Sequence, residues 1–223
     1  MTVEKTHNHP VPQTQGQTIP WARFYDTLVW LLSTGKDCAL RQKTVELAQI
    51  KPGETVLDVG CGTGDLTLAA KAATGPTGQV FGTDASPQMV EQAQQKADRS
   101  GADVTFKAEA VEQMTFADNQ FDVVLSSLMM HHLPGDLKQQ ALAEIYRVLK
   151  PGGRLLIVDM QSSRTVSVFQ RLSDVMIQLH GGHTALENNV SKLVPLVETA
   201  RFTETKTDKI NRQFAYVWAQ KPL

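Results

Sequence analysis

Apolar and polar positions change period several times along the chain, and each change marks an element. Trp21, Phe24, Tyr25, Leu28, Leu31 and Leu32 recur at helical spacing, so 21–32 is predicted to be a helix with one buried face. A second helix is predicted from about Asp37 to Gln49, with Lys51-Pro52-Gly53 as its stop. Short apolar runs then alternate with helical patterns: strand 55–59, helix 64–73, strand 79–83, helix 87–99 and strand 104–107. The near-continuous apolar run 121–126 is expected to be a central fourth strand, followed by helix 136–149 and strand 154–159. A helix over 165–179, another over 189–199 and a hairpin of 202–207 with 213–219 complete the reading. Such alternation argues for an α/β domain, a parallel sheet covered by helices on both faces.

The first strand runs straight into Gly60-Cys61-Gly62-Thr63-Gly64, and a helix opens at Asp65-Leu66-Thr67-Leu68. Glycines let a backbone approach a ligand closely, and the amides of a helix start can donate to it. The pattern is Gly-x-Gly-x-Gly, not the dinucleotide fingerprint, whose last glycine would stand at position 65. A carboxylate at Asp65 is expected to repel a pyrophosphate, so the ligand should be nucleoside-like without a diphosphate. Asp84 ends the second strand, 20 positions beyond Gly64, where an acid can accept from both hydroxyls of a ribose. Ser86 before Pro87 is the expected cap of the next helix, which leaves Asp84 for the ligand.

Segment 56–64, Asp84, Phe116-x-x-x-x-Phe121-Asp122-Val123-Val124 and Leu149-Lys150-Pro151-Gly152-Gly153 resemble the successive motifs of class I S-adenosylmethionine-dependent methyltransferases. The resemblance covers roughly 40–160, in order and spacing. Upstream, Phe24-Tyr25-Asp26 and Leu32-Ser33-x-Gly35 are similar to the entry region of ubiquinone/menaquinone-biosynthesis C-methyltransferases, over a much shorter stretch. The resemblance implies a Rossmann-like, mainly parallel seven-stranded sheet with an antiparallel C-terminal edge strand. It implies S-adenosyl-L-methionine as cofactor and transfer of its methyl group to a small, hydrophobic or aromatic acceptor. Gly60, Cys61 and Gly62 would line the methionine part, with Asp58 near the ammonium group or, alternatively, capping the turn. Ala85 and Met89 after the second strand, and Ala110 and Val111 after the third, would surround the adenine, although Met89 can equally be a core residue. Many relatives carry Asp where Ala110 stands, so Glu109 or the backbone near Val111 would have to take over. Ligands in such sheets lie beyond the strand ends, which gathers Asp58, Ser126, Ser127 and Asp159 around one crevice.

Methyl transfer from a sulfonium needs mainly alignment and a dry pocket. If the acceptor must lose a proton, His131, next to His132 after the fourth strand, is a suitable base, and helix-start packing is its alternative role. Tyr25 is the second catalytic candidate, should the N-terminal helix close over the crevice. The expected organisation is a flexible tail over 1–20, helices capping the acceptor pocket over 21–50, and a cofactor-binding domain over 51–223. Phe169, Leu172, Met176 and Leu179 are either a lid for an apolar acceptor or a packing stripe. His180-Gly181-Gly182-His183 lacks a carboxylate nearby in sequence, so no metal site is expected.

Bulk composition narrows the partners. The 223 residues carry 22 basic and 23 acidic side chains, a formal net charge of −1 that gives no electrostatic reason to bind nucleic acid. The Asn/Asp-Pro-Pro-aromatic signature of protein and RNA methyltransferases is absent after the fourth strand, where Ser126-Ser127-Leu128-Met129 stands. The two cysteines make no disulfide framework, and no apolar stretch reaches signal-peptide or membrane-span length, so a cytoplasmic protein without stable membrane insertion is expected. A homodimer is one assembly open to such a domain. Competing readings are an S-adenosylmethionine-binding protein with another reaction or none, and an NAD(P)-linked oxidoreductase. Asp65, and the lack of a Tyr-x-x-x-Lys or comparable hydride-transfer pair near the crevice, count against the last.

Overall fold

A computed structural model describes Pro12, Thr14, Gly16 and residues 37–161 and 190–223. Within it run α1 (Asp37–Ala48), β1 (Thr55–Val59), α2 (Asp65–Thr74), β2 (Gln79–Asp84), α3 (Pro87–Ser100), β3 (Thr105–Ala108), β4 (Phe121–Ser127), α4 (Gly135–Val148), β5 (Leu149–Met160), α5 (Val194–Thr199), β6 (Thr203–Lys209) and β7 (Phe214–Gln220). The predicted helices over 21–32 and 165–179, Tyr25, the stripe of Phe169, Leu172, Met176 and Leu179, and the two histidines at 180 and 183 lie outside the described residues.

The strands form one seven-stranded sheet in the order β3-β2-β1-β4-β5-β7-β6. The first five are parallel, and β7 runs antiparallel to both β5 and β6. The expected antiparallel edge is thus the terminal hairpin, docked through its second strand. β4 sits at the centre because its run is apolar on both faces. Val123 and Leu125 point into the layer shared with α1, α2 and α3, while Phe121 and Val124 point into the layer under α4. All four are fully buried. Truncating such a side chain to Ala costs about 2–5 kcal/mol, so β4 anchors both layers. Phe81, Phe116 and Phe121 pack edge to face with centroids 5.0–5.6 Å apart, tying β2, β4 and the loop between them.

Helix ends follow their local chemistry. The Ser86 hydroxyl accepts from the Met89 amide, Pro87 occupies the first turn of α3, and Gly101 closes it in the left-handed conformation. The single helix predicted over 189–199 is instead a 3-10 turn, Val190–Leu193, followed by α5. Pro195 has no amide to continue a ladder from the preceding turn and sits where a new helix can begin. β5 is longer than expected because Leu149 also pairs with Phe121 across a register shift before the parallel ladder resumes at Arg154. Among the described residues no helix is long and apolar enough to cross a membrane.

The sheet order reverses between β1 and β4, and that switch point fixes the site. Val59 pairs with Thr83 on one side and with Ser126 on the other, and Ser126 pairs with Ile157. The carboxyl ends of β1, β2, β4 and β5 therefore finish level around one crevice.

Candidate functional site

The glycine turn leaves β1 with Gly60, Gly62 and Gly64 all at positive φ, 69°, 53° and 83°. Their roles differ. A Cβ at Gly60 would lie 2.2 Å from Met129 Cγ, so this glycine admits the Met129 side chain from beyond β4. A Cβ at Gly64 would lie 2.8 Å from Ala93 Cβ and 2.9 Å from Phe106 Cζ, so this one lets α2 start against α3 and β3. Among the described residues, a Cβ at Gly62 would meet nothing within 4 Å. Of the three, only Gly62 turns an open face outward. Cys61 is spent within the turn: its amide donates to Thr83 O at 2.9 Å and its carbonyl accepts from Gly64 N at 3.0 Å. Its buried thiol is pushed far above the ordinary range by burial and by the Asp84 and Asp58 charges, and it packs as a small apolar group.

Asp84 pins the turn to the end of β2. One carboxylate oxygen accepts from the Gly62 amide at 2.9 Å and the other from the Ser86 amide at 2.8 Å. Burial raises its pKa against these two hydrogen bonds. Asp58, buried under the turn, accepts from the Thr67 hydroxyl at 2.7 Å. Burial raises its pKa to about 7, the Thr67 hydrogen bond opposing and the Asp84 charge adding. Two carboxylates held this way attract a cation. Asp65 behaves otherwise than expected: Lys96 at 2.9 Å and Arg41 at 3.5 Å pair with it, so its charge is largely answered and repulsion of a diphosphate is a weak argument. A carboxylate at a helix start gathers cations, and both partners are distant in sequence.

Beside Asp84, Ala85 is half-buried, and Met89, Ala110 and Val111 are buried. Glu109 does not replace an acid at 110. Its carboxylate accepts from the Thr115 amide at 3.2 Å and from the Thr115 hydroxyl, with Lys107 at 3.7 Å, and so closes its own loop. What Ala110 and Val111 present is a small apolar surface and backbone. Glu112, one residue further, has one oxygen bonded to the Thr14 hydroxyl at 2.5 Å and the other buried without a partner among the described residues. Gly16 reaches the same region, where an added Cβ would lie 3.1 Å from Leu133 Cδ2.

On the far side of the crevice the chain leaves β4 through Leu128, a non-glycine residue at φ 55° whose amide donates to Val158 O at 2.8 Å. A bulky side chain in this region is strained, and the strain redirects the chain into the turn Met130–His132. His131 Nδ1 then lies 2.7 Å from Asp159 Oδ1, and the His131 amide donates to Asp159 Oδ2 at 3.0 Å. The His132 ring stands 4.0 Å from the His131 ring, and burial first, then the His131 charge, lowers its pKa to about 4. Ser126 is fully buried, its hydroxyl without a partner among the described residues. The pairing of His131 with Asp159 was not predicted. The signal was present, an acid ending one apolar strand and a histidine following the neighbouring one, but only the strand order makes them adjacent.

The family described as "Methyltransferase domain" matches residues 56–153. The ubiquinone/menaquinone biosynthesis C-methyltransferase UbiE of Burkholderia mallei (strain SAVP1) is 35% identical over 158 residues, 71% of this chain and 63% of the relative. The chain thus matches less than two thirds of that relative's length. A SAM dependent methyltransferase from Aquifex aeolicus superposes with a TM-score of 0.68 at 22% identity, over 81% of this chain and 88% of that one. Haemonchus contortus phosphoethanolamine N-methyltransferase 2, in complex with S-adenosyl-L-methionine, gives 0.68 at 18% identity over 92% and 61%. Residues 56–153 thus match a methyltransferase-domain family, and the sheet order and the solved structures give the chain the fold of S-adenosylmethionine-dependent methyltransferases.

Proposed function

We propose that this chain moves the methyl group of S-adenosylmethionine to a small, hydrophobic or aromatic acceptor whose reacting site must lose a proton, with His131 as the base. The observation that carries this reading is the placement of His131, its ring locked beside the strand ends across the crevice from the Gly62 turn.

The residues on the other side suit that cofactor. The open face of Gly62 is a cradle that any side chain would fill, and the buried carboxylate of Asp58 with the half-buried one of Asp84 suits a cationic nucleoside. On this reading Asp84 accepts from the ribose, and Ala85, Met89, Ala110 and Val111 surround the adenine. Gly60, Cys61, Gly62 and Asp58 form the methionine end, and Ser126 lies at the floor between the two halves. Bound cofactor supplies a methyl group already activated by its sulfonium. The chain's own work is then to hold the acceptor in line, keep water out and take one proton. An aromatic C–H or O–H acceptor fits this division, because a hydroxyl ionised by His131 enriches the ring in electrons. The name of the Burkholderia relative, a quinone-pathway C-methyltransferase, points the same way.

Calorimetric titration with S-adenosylhomocysteine should give saturable binding. A panel of hydroquinones, phenols and amines, followed by release of S-adenosylhomocysteine, should then single out hydroxylated aromatics. Binding without turnover of any acceptor would favour a non-methyltransferase use of the site.

A further inference from the structure

We propose that Asp159 is the positioning residue that makes Nε2 of His131 the base of this site. The inference rests on the reading of His131 as base and adds what sets its tautomer and orientation.

Asp159 closes β5 with its side chain only 4% exposed, and His131 is 12% exposed. Its carboxylate holds three N–H groups. Oδ1 accepts from the Met160 amide at 2.7 Å and faces His131 Nδ1 at 2.7 Å, while Oδ2 accepts from the His131 amide at 3.0 Å. With both oxygens already accepting from backbone, the short contact to the ring requires Nδ1 to be the donor. The lone pair of the neutral imidazole is therefore on Nε2, the nitrogen turned away from Asp159. When Nε2 takes a proton, Nδ1–H keeps donating to the Asp159 carboxylate, so the ring holds its orientation in both protonation states.

Gripping the His131 amide and ring together also fixes where that nitrogen points. A carboxylate serving only as a cap for the turn Met130–His132 would need Oδ2 alone and no contact with the ring. Among the described residues, two titratable groups face His131, Asp159 from the neighbouring strand and His132 beside it. Burial keeps the His132 ring neutral near pH 7, so no second positive charge competes with protonation of His131.

Nitrogen-15 NMR of the full chain labelled at histidine reads this directly. At neutral pH His131 should be the Nδ1–H tautomer, with Nε2 unprotonated. In the Asp159→Asn variant an amide replaces one acceptor by a donor, so the tautomer should shift toward Nε2–H. With a hydroquinone acceptor, turnover of Asp159→Asn should fall by on the order of 10² or more, toward that of His131→Ala, and adding it to His131→Ala should cost little further. Affinity for S-adenosylhomocysteine should stay within about twofold in all three variants, because nothing on the β1–β2 side depends on Asp159. An Nε2–H tautomer in the unsubstituted chain overturns the proposal, even if Asp159→Asn fails to fold. Equal losses from Asp159→Asn in the parent and His131→Ala backgrounds overturn it as well. Failure to bind S-adenosylhomocysteine would instead sink the methyl-transfer reading, leaving the tautomer result to stand separately.

Discussion

The two sides of the crevice are built from different materials. On the β1–β2 side, recognition rests on main chain: three left-handed glycines, an open backbone face at Gly62, and one carboxylate that ties amides together. On the β4–β5 side it rests on side chains, a strained Leu128 delivering His131 onto Asp159. A backbone cradle tolerates many side chains so long as the glycines stay, whereas proton chemistry depends on one nitrogen in one orientation. Each side should therefore be breakable without the other.

The largest effect is expected at His131. His131→Ala should lower turnover by on the order of 10²–10⁴ at neutral pH, with an acceptor whose own pKa lies well above the assay pH. Affinity for S-adenosylhomocysteine should not move. Near-parental turnover would reduce this side to alignment and desolvation, and the contrast between the two sides would collapse.

Asp84 tests the opposite side. Asp84→Ala removes acceptors for the ribose and also releases the Gly62 and Ser86 amides. With charge-assisted hydrogen bonds at about 1.5–3 kcal/mol each, affinity for S-adenosylmethionine should fall at least tenfold, and roughly a hundredfold if the turn loosens too. Asp84→Asn keeps one acceptor and should lie between. Calorimetry showing unchanged affinity in Asp84→Ala would remove the ribose assignment.

The same contrast explains what could be read from the chain. The β1–β2 side was legible because its parts lie close in sequence and its chemistry is written in residue types that only a turn requires. Ser86-Pro87 announced the cap of α3, and its observed hydrogen bond leaves Asp84 to the turn. The roles within Gly60-Cys61-Gly62-Thr63-Gly64 were not legible. Their division depends on Met129, Ala93 and Phe106 arriving from three other elements. The role of Glu109, left open against the Val111 backbone, and the expected repulsion at Asp65 turn on the same kind of information, since Thr115, Lys96 and Arg41 decide what those carboxylates do. The His131–Asp159 contact joins residues 28 apart across parallel strands, and periodicity carries no information on strand neighbours. The break at Pro195 was readable in principle, because a proline amide cannot extend a helix from the turn before it.

A smaller effect follows from Asp58. Its pKa is near 7 in the folded chain and near 3.8 without burial, so below 7 the native state holds a proton that the unfolded state gives up. Stability of the unliganded chain should thus be greatest at low pH as far as this group is concerned, and decline as pH rises from about 4 through 7. Binding has the opposite sign. A cationic ligand favours the carboxylate, so affinity should rise by up to about tenfold per pH unit below 7 and level off above it. Asp58→Asn should flatten that slope. A flat profile in the parent would place Asp58 in the structural role of capping the turn.

The smallest expected effect sharpens the border between the two sides. Thr14 donates to Glu112, beside the adenine-side residues Ala110 and Val111, and Gly16 packs on Leu133 and Leu137, just beyond His131. Thr14 and Gly16 therefore lie against opposite walls of the crevice. Thr14→Ala removes one hydrogen bond to a carboxylate that water can partly replace, a loss of about 1 kcal/mol, or roughly fivefold. If the segment serves the acceptor, that loss should appear in turnover or in the acceptor KM, with affinity for S-adenosylhomocysteine unchanged. Removing residues 1–20 should act in the same direction and more strongly. Should either change instead weaken S-adenosylhomocysteine binding while turnover at saturating cofactor is kept, the segment belongs to the cofactor side. Glu112 would then be read as part of the adenine wall, and the border would move from the crevice centre to the start of α4.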